Sequence, residues 1–260
     1  MNDTSLLEPA QRRLAALMDR AIDTLEALLD DPALPAERRA DLALRLLDIA
    51  NAGEDKAPSS APTLLPPHYF AIPDFLSSDL HAAAVAKAEE CRDRFVASSV
   101  TSNEPGYRKS RVVFEDALGS LCAPVQQEIL GVLPAVCTAL VRPMFVPRRV
   151  ELHMTVHGDG DFFKVHTDSA TQEIETREIS FVYYFMLRQP YGFSGGDLRL
   201  YETLNFAPPR HEPSRFQDIT PVDNMIVFFE SRLMHEVLPL HVASGRFEDA
   251  RFTLNGWLHR

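Results

Sequence analysis

From residue 150 to 168 the chain reads Val-Glu-Leu-His-Met-Thr-Val-His-Gly-Asp-Gly-Asp-Phe-Phe-Lys-Val-His-Thr-Asp. Val150, Leu152, Met154 and Val156 alternate with Glu151, His153 and Thr155, the period-two pattern of a strand with one face on a core. His157-Gly158-Asp159-Gly160-Asp161 is a turn by composition. A second strand opens at Phe162-Phe163 and ends on His166 and Asp168, which share a face because residues two apart in a strand point the same way. Apolar segments at 179–187, 197–201, 225–229 and 251–258, separated by Gly, Pro and Asp, predict further strands.

The first half of the chain follows the helical period instead. Leu14, Leu17, Met18, Ala21, Leu25 and Leu28 predict one helix, and Leu42, Leu46 and Ile49 a second after the turn Asp31-Pro32-Ala33-Leu34-Pro35. Residues 51–67, rich in Pro, Ser and Ala, read as a linker. A strand at 69–75 precedes a helix capped by Ser77 or Ser78 and running to about residue 95. Residues 97–111 form a polar loop ending in Arg108-Lys109-Ser110-Arg111, either a lid or a solvated surface loop. Residues 121–141 predict a helix interrupted near Gly131 and Pro134. Helices first and short antiparallel strands afterwards make an α+β chain with a sandwich or barrel as its catalytic half. The domains expected are a helical N-terminal extension (1–50), a linker (51–67) and a main domain (68–260). The extension is expected to pack as a hairpin on the main domain, with homodimerisation through its helices as the alternative.

Composition narrows the partners. The 260 residues are 45% hydrophobic, ordinary for a globular protein, and carry a formal net charge of −11. That charge argues against nucleic acid and against an anionic membrane surface. Met1-Asn-Asp-Thr-Ser-Leu-Leu-Glu does not read as a signal peptide, and the longest apolar run, 129–141, is too short to span a bilayer. Cys91, Cys122 and Cys137 form no Cys-x-x-Cys pair and read as reduced thiols, so a cytoplasmic location is expected.

Two His-x-Asp pairs occur, His157-Gly-Asp159 and His166-Thr-Asp168. The first sits in a Gly-rich turn, where Asp serves backbone geometry; the second ends an apolar strand, where polar groups need a reason. His235, just past the apolar run Met225-Ile-Val-Phe-Phe, offers a third ligand. Two imidazoles and one carboxylate on one face of an ion leave open positions for a co-substrate and O2, the arrangement of non-haem Fe(II) oxygenases. The His-Glu-x-x-His spacing of zinc hydrolases is absent. In the last strand Arg251, Thr253 and Asn255 share a face that should line an interior. A guanidinium there requires a carboxylate, supplied by a dicarboxylate co-substrate or by the protein itself.

Taken in order, His166-Thr-Asp168, Tyr183-Tyr184, Gly195-Gly196-Asp-Leu, Phe228-Phe229-Glu-Ser-Arg-Leu-Met-His235-Glu-Val-Leu-Pro and Arg251 six residues before Trp257 resemble the 2-oxoglutarate and Fe(II)-dependent dioxygenases of the prolyl 4-hydroxylase superfamily. The stretch around His235 is similar to the hypoxia-factor prolyl hydroxylases and their bacterial relatives. The resemblance implies a double-stranded β-helix over 68–260, with His166, Asp168 and His235 binding Fe(II). It implies that Arg251 anchors the far carboxylate of 2-oxoglutarate with Tyr183 touching it, and that ascorbate stimulates turnover. Arg246, in a segment longer than the family's, is a rival for Arg251. A tyrosine carried by many relatives before the metal turn is replaced near Val156 and His157. Retention of Asp168 argues against a halogenase.

The reaction implied is decarboxylation of 2-oxoglutarate to succinate and CO2 with hydroxylation of a C–H bond, foremost that of a prolyl residue in a protein or peptide. A free amino acid or other small molecule is the alternative, favoured by a closed pocket with extra Arg or His such as Arg199, Arg232 or His157. A non-catalytic metal- or ligand-sensing module is the reading from another class.

Overall fold

The computed structural model describes residues 63–98, 106–169, 176–205 and 208–260; the helical pair expected at 1–50 and most of the expected linker lie outside them. Strands β1 (Thr63–Leu65) and β2 (Tyr69–Ile72) lead into helix α1 (Ser78–Glu90), then β3 (Val96–Ala97), β4 (Arg108–Lys109) and β5 (Arg111–Val113). Helices α2 (Glu115–Leu118) and α3 (Cys122–Ala139) follow. The rest is strand: β6 (Arg149–His157), β7 (Phe162–His166), β8 (Arg177–Phe185), β9 (Ser194–Gly195), β10 (Leu198–Asn205), β11 (Arg210–Ile219), β12 (Met225–Glu230), β13 (His235–Val237), β14 (Leu240–His241) and β15 (Arg251–His259).

A large sheet runs in the order β2-β12-β8-β15-β6-β5-β3, and a smaller one runs β1-β10-β13-β7-β4 with β11 added to β10. All their pairings are antiparallel. The large sheet is buried on both faces. Leu152, Met154 and Val156 of β6, Phe181, Tyr183 and Phe185 of β8, and Phe252 and Leu254 of β15 join the helices in one core cluster. Tyr184, Val227 and Phe229 on the opposite face join Leu198, Leu200 and Leu233 in a second. A strand covered on both sides needs apolar residues at every position, which is why β12 shows no alternation. The polar face of β6, by contrast, does not meet solvent: His153, Thr155 and His157 are buried and line a cavity.

Three expectations are corrected. Helix α1 is capped by Ser77, whose Oγ accepts from Leu80 N at 3.3 Å, but it ends at Glu90 rather than near residue 95. A 3-10 turn (Arg92–Arg94) follows, bringing both Cys91 and Phe95 into the core. Helix α3 runs uninterrupted through Pro134. Pro134 lies on the exposed side, so the carbonyl it leaves without a helical donor faces water, while Ile129, Leu133, Val136 and Cys137 pack inward. Of the loop expected at 97–111, residues 99–105 lie outside the described residues, while Arg108–Lys109 form β4 against β7 and Arg111 opens β5 against β6.

Gly256 marks the tightest point of the large sheet. A Cβ there would lie 1.8 Å from the Glu151 carbonyl oxygen, a backbone atom held by the β15–β6 pairing. Gly256→Ala is therefore expected to destabilise the protein by about 3 kcal/mol or more, read as a lowered melting temperature.

Candidate active site

His166 closes β7 and His235 opens β13, and the two residues stand opposite each other in the antiparallel pair. Each ring is fixed from behind. His166 Nδ1 lies 2.7 Å from the Lys164 carbonyl and His235 Nδ1 lies 2.9 Å from the Leu233 carbonyl, so each Nδ1–H donates and each Nε2 lone pair is free. Asp168, just beyond β7, has its carboxylate oxygens 3.7 Å from His166 Nε2 and 3.4 Å from His235 Nε2. It is held by the Ser180 hydroxyl, which donates at 2.7 Å, and by its own N–H to the Ser231 carbonyl at 3.0 Å. The three residues each offer a ligand atom, all within 4.8 Å of one another. Phe163 stacks on the His166 ring at 3.6 Å between centroids.

These groups open into a cavity between the sheets that Arg251, Thr253, Asn255 and Trp257 of β15 also line. Arg251 is 1% exposed. One Nη donates to His157 Nδ1 at 3.2 Å, and the guanidinium lies over the Tyr184 ring at 4.9 Å. No carboxylate among the described residues pairs with it, and its Nε and the Nε2 of His157 are buried without a partner. The Tyr184 hydroxyl lies against the same guanidinium without a hydrogen bond of standard geometry.

Tyr183 is not brought to this cavity. It belongs to the opposite face of β8, where its hydroxyl donates to Asn224 Oδ1 at 2.9 Å and meets His81 Nδ1 at 2.6 Å. Strand parity puts Tyr184 beside Arg251 instead. Arg246 is turned away too: its Nε and Nη2 donate to Asp249 at 2.9 and 2.6 Å. Arg199 is held by Asp218 and Arg232 lies near Glu178, and neither lines the cavity. Asp159, in the rejected His-x-Asp pair, accepts from Val242 N at 2.8 Å and shapes the turn.

The family model described as the 2OG-Fe(II) oxygenase superfamily matches residues 152–259. An uncharacterized PKHD-type hydroxylase from Synechocystis sp. is 31% identical over 285 residues, covering 95% of this chain and 93% of that protein. The chain belongs to the 2OG-Fe(II) oxygenase superfamily. It is thus an oxidoreductase, a hydroxylase whose family implies Fe(II), 2-oxoglutarate and O2. The fold is shared with a prolyl-4-hydroxylase from Pseudomonas putida, with a TM-score of 0.55, 24% identity, and coverage of 74% of this chain and 94% of that one. It is also shared with a Trichoplax adhaerens prolyl hydroxylase solved with a hypoxia-inducible-factor peptide fragment, with a TM-score of 0.55, 14% identity, and coverage of 87% and 94%.

Burial sets the electrostatics of this oxygenase cavity. Desolvation pushes His153 down to about 3, and desolvation with Arg251 nearby holds His157 well below its ordinary value. Burial alone would raise Asp168, but His235, His166 and the Ser180 hydroxyl together hold it below the usual carboxylate range. The histidine shifts have a stability consequence. Between pH 6.5 and 3 the unfolded chain binds a proton at His153 that the folded chain refuses, and His157 acts in the same direction, so stability is full above pH 6.5 and falls as pH drops. From pH 7 to 5 His153 is expected to cost about 2 kcal/mol, seen as a falling melting temperature of the metal-free protein. His153→Phe is expected to flatten part of that slope.

Proposed function

We propose that the two sheets form a double-stranded β-helix whose cavity holds Fe(II) through His166, Asp168 and His235, and that the enzyme hydroxylates a prolyl residue of a protein or peptide. The donor chemistry supports the ion: two imidazoles whose Nδ1 sides are taken by backbone carbonyls and whose Nε2 sides are left for a ligand, and a carboxylate held in its charged form, on one side of the cavity. The observation that carries the co-substrate is Arg251, buried in the cavity wall against His157 and over the Tyr184 ring without a carboxylate partner. Its Nε lacks an acceptor, and a carboxylate of 2-oxoglutarate would satisfy the guanidinium. Tyr184 takes the role that the resemblance assigns to Tyr183.

Bound iron and 2-oxoglutarate supply O2 activation, coupled to release of succinate and CO2, with ascorbate expected to stimulate turnover. The chain's own part is positioning. The Lys164 and Leu233 carbonyls fix both imidazole tautomers, and Ser180 orients the carboxylate. Phe163, Val182, Leu198 and Phe229 keep water from the centre. The test is incubation of proline-containing peptides with the purified chain, Fe(II), 2-oxoglutarate and O2. The expected result is gain of one oxygen atom, located on proline by fragmentation. Oxygen gain only on free amino acids or other small molecules would replace the peptidyl reading.

A further inference from the structure

The same cavity has a second cationic end. Arg108, on β4, lines it together with His153, Asn255 and Trp257. Arg108 Nε donates to Ser110 Oγ at 2.8 Å, and its guanidinium lies 4.6 Å from the Phe163 ring centroid. Among the described residues no carboxylate forms an ion pair with it. His153 is 7% exposed and meets Asn255 Nδ2 at 2.6 Å through Nε2. The Asn255 Oδ1 is taken by the Thr253 hydroxyl at 2.9 Å, so Nδ2 donates and the imidazole carries its proton on Nδ1. That Nδ1–H has no protein partner among the described residues.

We propose that Arg108 and His153 form an anion-recognising subsite that holds a carboxylate of the prime substrate, an inference that rests on the oxygenase reading of this cavity. A guanidinium and a neutral imidazole N–H are both donors, and neither can be satisfied by another donor. The field reaching Arg108 from the protein is that of Asp168, a carboxylate already committed to the metal under the proposed function. An unpaired, largely desolvated guanidinium costs stability, and an incoming carboxylate removes that cost. The chain carries a net charge of −11, which repels acids in general, so a cation at this end of the cavity selects for an anion placed at that point. The carboxylate has two possible sources in a prolyl peptide, an acidic side chain beside the proline or the free C-terminus of the proline itself.

Calorimetry on the full chain, loaded anaerobically with Mn(II) and 2-oxoglutarate, separates these. Three prolyl peptides are titrated: one neutral and capped at both ends, one with aspartate after the proline, and one ending in a free proline carboxylate. At least one acidic peptide is expected to bind roughly tenfold or more tightly than the neutral one. The tighter acid identifies the source. Arg108→Met is expected to erase the preference, and His153→Phe, which keeps the ring against Trp257, to reduce it. Neutral and acidic peptides binding alike, no peptide binding, or a preference that survives Arg108→Met would each overturn the inference. Failure of 2-oxoglutarate to bind in the loading step would sink the oxygenase reading itself, so the two failures are distinguishable.

Discussion

Replacing Arg251 with methionine is expected to weaken 2-oxoglutarate binding roughly 30-fold or more while raising the melting temperature of the ligand-free protein. The two effects have opposite signs for one reason. Arg251 is among the largest fully buried side chains of the protein, yet it has no carboxylate partner and its Nε is unsatisfied. In the absence of ligand that charge is a burden, and a methionine of similar reach fills its space without the desolvation cost. With ligand bound, truncating one partner of a buried charge pair costs about 2–5 kcal/mol, which is the source of the lost affinity. A structural arginine paired within the protein would lose stability and leave the affinity alone. Calorimetry with 2-oxoglutarate and a thermal melt on the same two proteins check both signs.

Asp168→Ala is expected to remove metal binding and turnover together. Changes in groups that merely orient ligands typically cost 10- to 100-fold in metal affinity or activity, and Asp168 would be a ligand itself, so its loss should exceed that range. The alanine also removes the acceptor of the Ser180 hydroxyl, which keeps only its 3.0 Å contact with the Ser231 hydroxyl. Under anaerobic conditions Fe(II) should raise the melting temperature of the wild type, because only the folded chain gathers the three ligands, and the variant should show little or no rise. A normal rise in the variant would mean that the metal sits elsewhere.

Much of the site was legible in the sequence because strand parity is simple. His166 and Asp168 two apart, and Arg251, Thr253 and Asn255 on alternate positions, could be assigned to one face before any coordinates. Parity failed at Tyr183-Tyr184, where two identical neighbours gave no way to tell the inward one; only the register Tyr184↔Thr253 and Tyr183↔Leu254 resolves it. The separation of Arg251 from Trp257 already favoured Arg251 over Arg246, whereas the Asp249 partner that holds Arg246 is seen only in the structure. Arg108 was read only as the end of a polar loop because that stretch has no periodicity, and its strand exists only through pairing with β7. Strand β11, more than half of whose length is charged or polar residues open to solvent, is held by its pairing with β10 rather than by any pattern of its own. Helix α3 defied its proline because packing outweighed a lost hydrogen bond on the wet side. The cavity polarity of β6 was visible as alternation, but a polar face buried between two sheets looks the same in sequence as one facing solvent.

The most direct measurement is succinate release from 2-oxoglutarate by the purified chain with Fe(II), ascorbate and O2, run beside Asp168→Ala. Such enzymes turn over slowly without their prime substrate, so no knowledge of it is needed. Succinate formed by the wild type and absent from the variant is the predicted result. No succinate, joined to no binding of 2-oxoglutarate in the anaerobic Fe(II)-loaded protein, would contradict the account and leave the cavity as a ligand-sensing module.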